Sequence, residues 1–326
     1  MNRDLTVDIA RGIGMLLVVA GHTRINDLLG GFVERWIYSF HMPLFFLLAG
    51  YCFDEARYPN WLGYVGRKLR TIWWPFVMLS LYIAVASVFL YWGDDPTMSF
   101  VAQCKMLLTL NTRVVPFRFL PVLFAVEMAY WFVRKLSWGE YAVLAFCFVV
   151  GGFCFDGNHM YHDVTFLVAM VWYAVGMGLR KMRHVDLKCN WNWTVLALIC
   201  FIIHGVGVWY GLRGVVSYAG GRWVSPYVHF PTCFLALIGV LAISKCLVGC
   251  EYLARILSWV GRNSMVILVA HYFPGIFRRT WISAWGVSNL MSYVLEAVVM
   301  AVMIWLLVKP LRFLVYWPFR RVSTGR

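Results

Sequence analysis

Charge is what this chain has least of. Asp, Glu, Lys and Arg together make up 13% of its 326 residues, against 62% hydrophobic residues, whereas soluble domains carry about 25% charge. That scarcity excludes an ordinary water-soluble domain. Acids are scarcer than bases, 15 against 29, for a net charge of +14. An excess of this size can signal nucleic acid, but here the cations cluster in short segments between apolar stretches, which is the pattern that membrane topology imposes. No nucleic-acid partner is expected. Ordered cysteine pairing is also missing. The nine cysteines are odd in number, lie mostly inside apolar stretches and include no C-x-x-C pair, so they indicate neither a disulfide framework nor a zinc site, and packing is their expected role. No low-complexity segment, long linker, composition shift or internal repeat divides the chain, so one membrane domain over 1–326 with no appended soluble module is the expected organisation.

What the chain has in abundance is apolar runs near the roughly 20 residues that cross a bilayer as a helix. They fall near 5–23, 35–53, 72–92, 118–133, 140–156, 164–179, 192–211, 226–249, 262–278 and 289–308. The fold class predicted is therefore all-α, a polytopic bundle of about ten transmembrane helices. With the N-terminus cytoplasmic, the inside segments hold Arg57, Arg67, Lys68, Arg70, Arg134, Arg180 and Arg262 among others, and the outside segments hold roughly half as many cations, so the positive-inside rule places both termini in the cytoplasm. The first stretch carries acids and an arginine and lacks a small-residue cleavage site, so it reads as a retained helix and not a signal peptide. A multi-pass protein of the cell's inner or plasma membrane, in contact with its lipids, is the expectation. Between spans, 101–110 has the pattern of an interfacial helix.

The first span carries a polar stripe. In steps of three and four, Asp4, Asp8, Arg11, Met15, Val18 and His22 share one helix face. Arg11 and His22 are about 16 Å apart along it, pointing the same way at different depths. Two readings stand. Arg11 can snorkel to the interface, neutralised by Asp8, with His22 among headgroups. Alternatively both line a wet interior site, the default for ionisable groups at membrane depth.

Further motifs follow in order. "FHMPLFFLLAGY" (40–51) opens the second span, "RKLR" (67–70) lies in the next basic segment, "FLPVLFAVEMAYWF" (119–132) makes the fourth span, and "GRNSMVILVAH" (261–271) opens the ninth. Together with the R-x10-H pattern of Arg11 and His22, this series resembles acyltransferase family 3 of integral membrane proteins over nearly the whole chain. Its compact form is similar to short sugar O-acetyltransferases of the fucose-4-O-acetylase type. Arg118 and Ala49 stand where the family often has Trp and Ser, so no role is carried to them. The resemblance implies an O-acyltransferase that moves an acetyl or other acyl group from cytoplasmic acyl-CoA, with acetyl-CoA as co-substrate, to a hydroxyl of a cell-envelope carbohydrate or surface glycan precursor. The acceptor can be a free, lipid-linked or polymeric glycan.

Roles follow from that chemistry. A sugar hydroxyl needs a general base, and histidine suits the task, so His22 is the expected base; Glu127 or Asp8 is expected to orient it, as the carboxylate does in an acyl-transfer triad. Arginine recognises phosphates through its planar fork, which assigns Arg67 and Arg70, three apart on one face if helical, to the phosphates of coenzyme A, and Arg11 to the pyrophosphate or thioester end. His41, Asn263, Ser264 and His271 are expected at the acceptor. His204 and Glu296 lie deep in other spans with no motif to claim them. "DGNHMYHD" (156–163) reads as a polar turn and not a metal cluster, so no metal is predicted. The competing class is a secondary transporter exporting a glycan or lipid; it should show broken helices in two related halves, which the sequence lacks.

Overall fold

The structure, a computed structural model, describes residues 4–23, 31–57, 59–90, 119–153, 161–181, 191–211, 226–271 and 289–322. Those residues are helical, with no strand among them. Helix α1 spans Leu5–Gly21, and its first turn is capped by Asp4, whose carboxylate accepts from the Thr6 and Val7 amides. Then come α2 (Phe32–Tyr38), α3 (His41–Cys52), α4 (Trp61–Lys68), a π-helical turn (Leu69–Trp73) and α5 (Trp74–Leu90). Beyond these are α6 (Phe119–Val133), α7 (Trp138–Phe153), α8 (Tyr161–Lys181), α9 (Trp191–Gly211), α10 (Pro226–Leu247), α11 (Glu251–Arg262), α12 (Ser264–Ala270) and α13 (Asn289–Tyr316).

Within the described residues helix occupies part or all of each expected apolar stretch, but two stretches are interrupted. The stretch 35–53 breaks at Ser39–Phe40, where α2 ends and α3 begins. The Ser39 hydroxyl donates to the Trp36 carbonyl at 2.8 Å, so the His204 Nε2–H is what donates to Ser39 Oγ at 3.1 Å. That buried chain ties the break to α9. The stretch 262–278 is part of a bent pair: α11 and α12 meet at Asn263 at 73°. Asn263 donates from its side chain to the Trp259 carbonyl, and its Oδ1 accepts from Arg312 of α13 at 3.3 Å, which holds the corner. Among the described residues, three helices, within Asn192–Gly211, Tyr227–Leu247 and Val294–Phe319, are long and apolar enough to cross a membrane, or four if the bent pair is one span. Phe119–Val133 and Gly139–Gly151 are shorter apolar helices. The expected interfacial helix (101–110) and His159 lie outside the described residues, as do Cys104, Cys154 and Cys189.

Large apolar side chains face outward on α9 (Leu198, Ile202, Trp209) and α13 (Val298, Val302, Trp305). Water would penalise such stripes, whereas lipid would not.

Helix α1 is the hub, packed against α2, α3, α10, α11 and α12. Glycine makes the two tightest crossings. A Cβ on Gly12 would overlap the Leu257 carbonyl, and one on Gly261 would overlap the Asp8 carbonyl, so α1 and α11 touch backbone to backbone. Gly50 and Gly176 do the same for α3 and α8, against the carbonyls of Tyr173 and Leu47. These contacts draw α1 and α3 tightly into the bundle and set the spacing of the cavity they line.

Candidate functional site

A cavity of about 530 Å³ lies between α1, α3, the α4–π-turn segment, α6 and α12. Helical periodicity carries the stripe of α1 into it: Arg11, Met15, Val18 and His22 all line the wall. His41, Arg67, Glu127 and Ser264 line it too, along with Tyr38, Cys52, Lys68, Thr71 and Tyr316. Six residues singled out from the sequence, on five separate segments, thus meet at one site.

The cavity has two chemically different ends. At one, the Arg11 guanidinium donates to Cys52 Sγ at 3.2 Å, and no ion pair holds it among the described residues. Arg67 and Lys68 stand close by, because Tyr64 of α4 packs on Phe53 at the end of α3 (5.8 Å between rings). Cys52, Arg67 and Thr71 are exposed while Leu120 and Glu127 behind them are buried, which marks a mouth here. The same end of the bundle gathers Arg134, stacked on Phe53 at 5.4 Å, and Arg180, paired with Asp54 at 2.9 Å.

At the other end stands a histidine cluster. The His271 ring stacks on His22 (centroids 5.0 Å apart, planes at 23°), and the Tyr38 ring lies edge-on to both His22 and His41 at 6.2 and 5.0 Å. His41 and His271 are buried, and each directs Nδ1 at the carbonyl four residues earlier, Ile37 at 2.9 Å and Ile267 at 3.1 Å. A carbonyl only accepts, so Nδ1 carries the hydrogen in both and Nε2 keeps its lone pair. Of the two, His41 lines the cavity, whereas His271 is off the wall and backs the His22 ring.

Other expected residues sit elsewhere. Asp8 is buried where α1 crosses α11, about 21 Å along the helix from His22, too far to orient it. Glu127 is on the wall, but its carboxylate is engaged: Lys68 Nζ is 2.6 Å from Oε1, and Oε2 accepts from the Tyr173 hydroxyl at 2.8 Å and from the Tyr64 hydroxyl. The contacts of Glu127 thus run to Lys68 and two tyrosines, and the rings packed on His22 are those of His271 and Tyr38. Arg70 is off the wall, its guanidinium 6.0 Å from the Phe319 ring. The π-type turn that starts at Leu69 has more residues per turn than an α-helix, so Arg67 and Arg70 do not keep a common face. Asn263 is buried in the α11–α12 corner. The sequence reading passed over Lys68, Tyr38 and Cys52. Lys68 sits inside "RKLR", yet its partner Glu127 lies on another helix far along the chain, and no local spacing singles it out.

An acyltransferase domain model, that of acyltransferase family 3, matches residues 4–309. The chain belongs to this family. It is a membrane acyltransferase by that membership, and its apolar helices agree. No curated protein and no solved structure matches it. Within this acyltransferase the cavity is the natural place for chemistry, since it joins the ordered motifs of the first, second and later helices in one space.

Proposed function

We propose that the protein is an O-acyltransferase that moves an acetyl group from acetyl-CoA to a hydroxyl of a carbohydrate acceptor. The observation that carries this reading is the polarity of the cavity: cations at the mouth and histidines at the far end, joined by one face of α1. Coenzyme A is polyanionic, which suits Arg11 and Arg67. His22 takes the proton from the acceptor hydroxyl as its oxygen attacks the thioester carbonyl; the C–S bond breaks, the thiolate leaves as coenzyme A, and the proton from His22 ends on that thiolate or in solvent. The Nε2 lone pair of His41, which lines the cavity, accepts a hydrogen bond from a neighbouring hydroxyl of the acceptor. The arm of coenzyme A spans the roughly 16 Å between Arg11 and His22.

In this reading the Arg11 end faces the cytoplasm, where the donor is made, and both termini with it; the helices together form about ten membrane segments in the cell's inner or plasma membrane. The cations gathered at the mouth, Arg134 and Arg180 included, support that orientation. The acceptor is a glycan or glycan precursor of the envelope.

The test supplies labelled acetyl-CoA and a panel of mono- and oligosaccharides to the purified protein and to His22→Ala. The parent acetylates at least one acceptor, and the variant is slower by about 10²–10⁴-fold, the range for loss of a general base. Equal rates would remove His22 from that role. A parent that never consumes the donor, while a glycan crosses liposomes carrying it, would replace the enzyme reading with an exporter.

A further inference from the structure

The mouth of the cavity holds an ion pair that acyl transfer as set out above does not use. Lys68 Nζ lies 2.6 Å from Glu127 Oε1, with the two side chains 15% and 3% exposed. Burying such a pair is costly, and apolar residues of similar volume would often serve stability as well. Both members also line the cavity, whose described wall carries three cations (Arg11, Arg67 and Lys68) and a single acid, Glu127. One acid leaves this end with an excess of positive charge, which is a receptor for an anion. Glu127 is itself immobilised: its other oxygen accepts from two phenols, Tyr64 and Tyr173, both buried. The carboxylate thus acts as a fixed post for Lys68. An ammonium has three N–H donors, and the ion pair uses one, leaving two for a ligand.

Resting on the acyl-CoA reading, we propose that Lys68, positioned by Glu127 and its two tyrosines, binds the donor's phosphates alongside Arg67 and Arg11, and that Arg70 takes no part. The π-turn is the reason. It begins after Lys68, so Arg67 and Lys68 face the cavity from the end of α4 while Arg70, inside the turn, is left against Phe319.

Two donors separate the possibilities: acetyl-CoA, and acetyl-pantetheine, which carries the same thioester without phosphates. Lys68→Met alone would strand the buried Glu127 charge and endanger folding, so the double variant Lys68→Met with Glu127→Gln removes both charges together. It is expected to raise the KM for acetyl-CoA about tenfold or more while kcat at saturating donor stays within about twofold, and to match the parent with acetyl-pantetheine. Lys68→Arg restores the KM for acetyl-CoA, and Arg70→Gln changes it less than about twofold. A double variant with the parent's KM for acetyl-CoA overturns the proposal, and so does one impaired equally with both donors, since that loss is structural. An Arg70→Gln variant with the larger effect returns the phosphate role to Arg70. If the parent uses neither donor, the acyl-CoA reading itself falls, an outcome distinct from either variant's.

Discussion

At the scale of single residues, the cavity separates charge from lone pairs. Arg11 and Lys68 present donors at the mouth; His41 presents an acceptor at the other end, because the Ile37 carbonyl holds its Nδ1 hydrogen, while His271 lies buried off the wall against the His22 ring. A histidine fixed in this tautomer offers Nε2 as an acceptor to a hydroxyl. His41→Phe keeps the ring's bulk and removes the lone pair. It is expected to raise the acceptor KM about five- to tenfold, the worth of one neutral hydrogen bond of about 1 kcal/mol, and to leave the donor KM unchanged; steady-state kinetics with each substrate varied in turn measures both. An unaltered acceptor KM would place the acceptor away from His41. Arg11 and His22 were legible from helical periodicity alone. Their partners were not, since no sequence spacing reports that His271 stacks on His22.

At the scale of elements, close contact of backbones decides the site. Gly12 on α1 lies one residue after Arg11, and its hydrogen faces the Leu257 carbonyl of α11 with no room for a methyl group. Gly12→Ala is therefore expected to destabilise the protein by about 1–3 kcal/mol, the range for overpacking, and to displace Arg11 with the helix. Thermal unfolding in detergent reads the first effect and donor KM the second; a variant as stable as the parent would show that α1 and α11 stand further apart. The breaks matter as much as the crossings. The Ser39–His204 link lies at the turn that brings Tyr38 and His41 to His22, and the Asn263–Arg312 link lies at the corner that sets the direction of α12 and hence Ser264 and His271. Apolar composition gave these stretches the look of single spans, because Leu, Val and Phe are equally at home on both sides of a break.

At the scale of the molecule, one space has cations at one end and the proposed base at the other. Cys52 reports on that arrangement, being exposed at the mouth and bonded to Arg11. In a chain whose other cysteines are replaced, a membrane-impermeant maleimide is expected to label Cys52 in inside-out vesicles and not in right-side-out ones, with acetyl-CoA slowing the reaction. Labelling from the opposite face would reverse the proposed orientation; labelling indifferent to acetyl-CoA would move the donor elsewhere.

Composition and periodicity by themselves determined that this chain is helical and apolar, and that Arg11 and His22 share a face, because both properties depend only on residue type and the pitch of a helix. The ordered motifs went further and pointed to the family. Tertiary structure alone decided which residues serve the cavity. It placed Glu127 with Lys68 and two tyrosines, put Asp8 in a helix crossing, and turned Arg70 outward. The physical reason is that the partner of a buried charge is chosen by packing between helices far apart in the chain, and a local π-turn resets the facing of every residue that follows it.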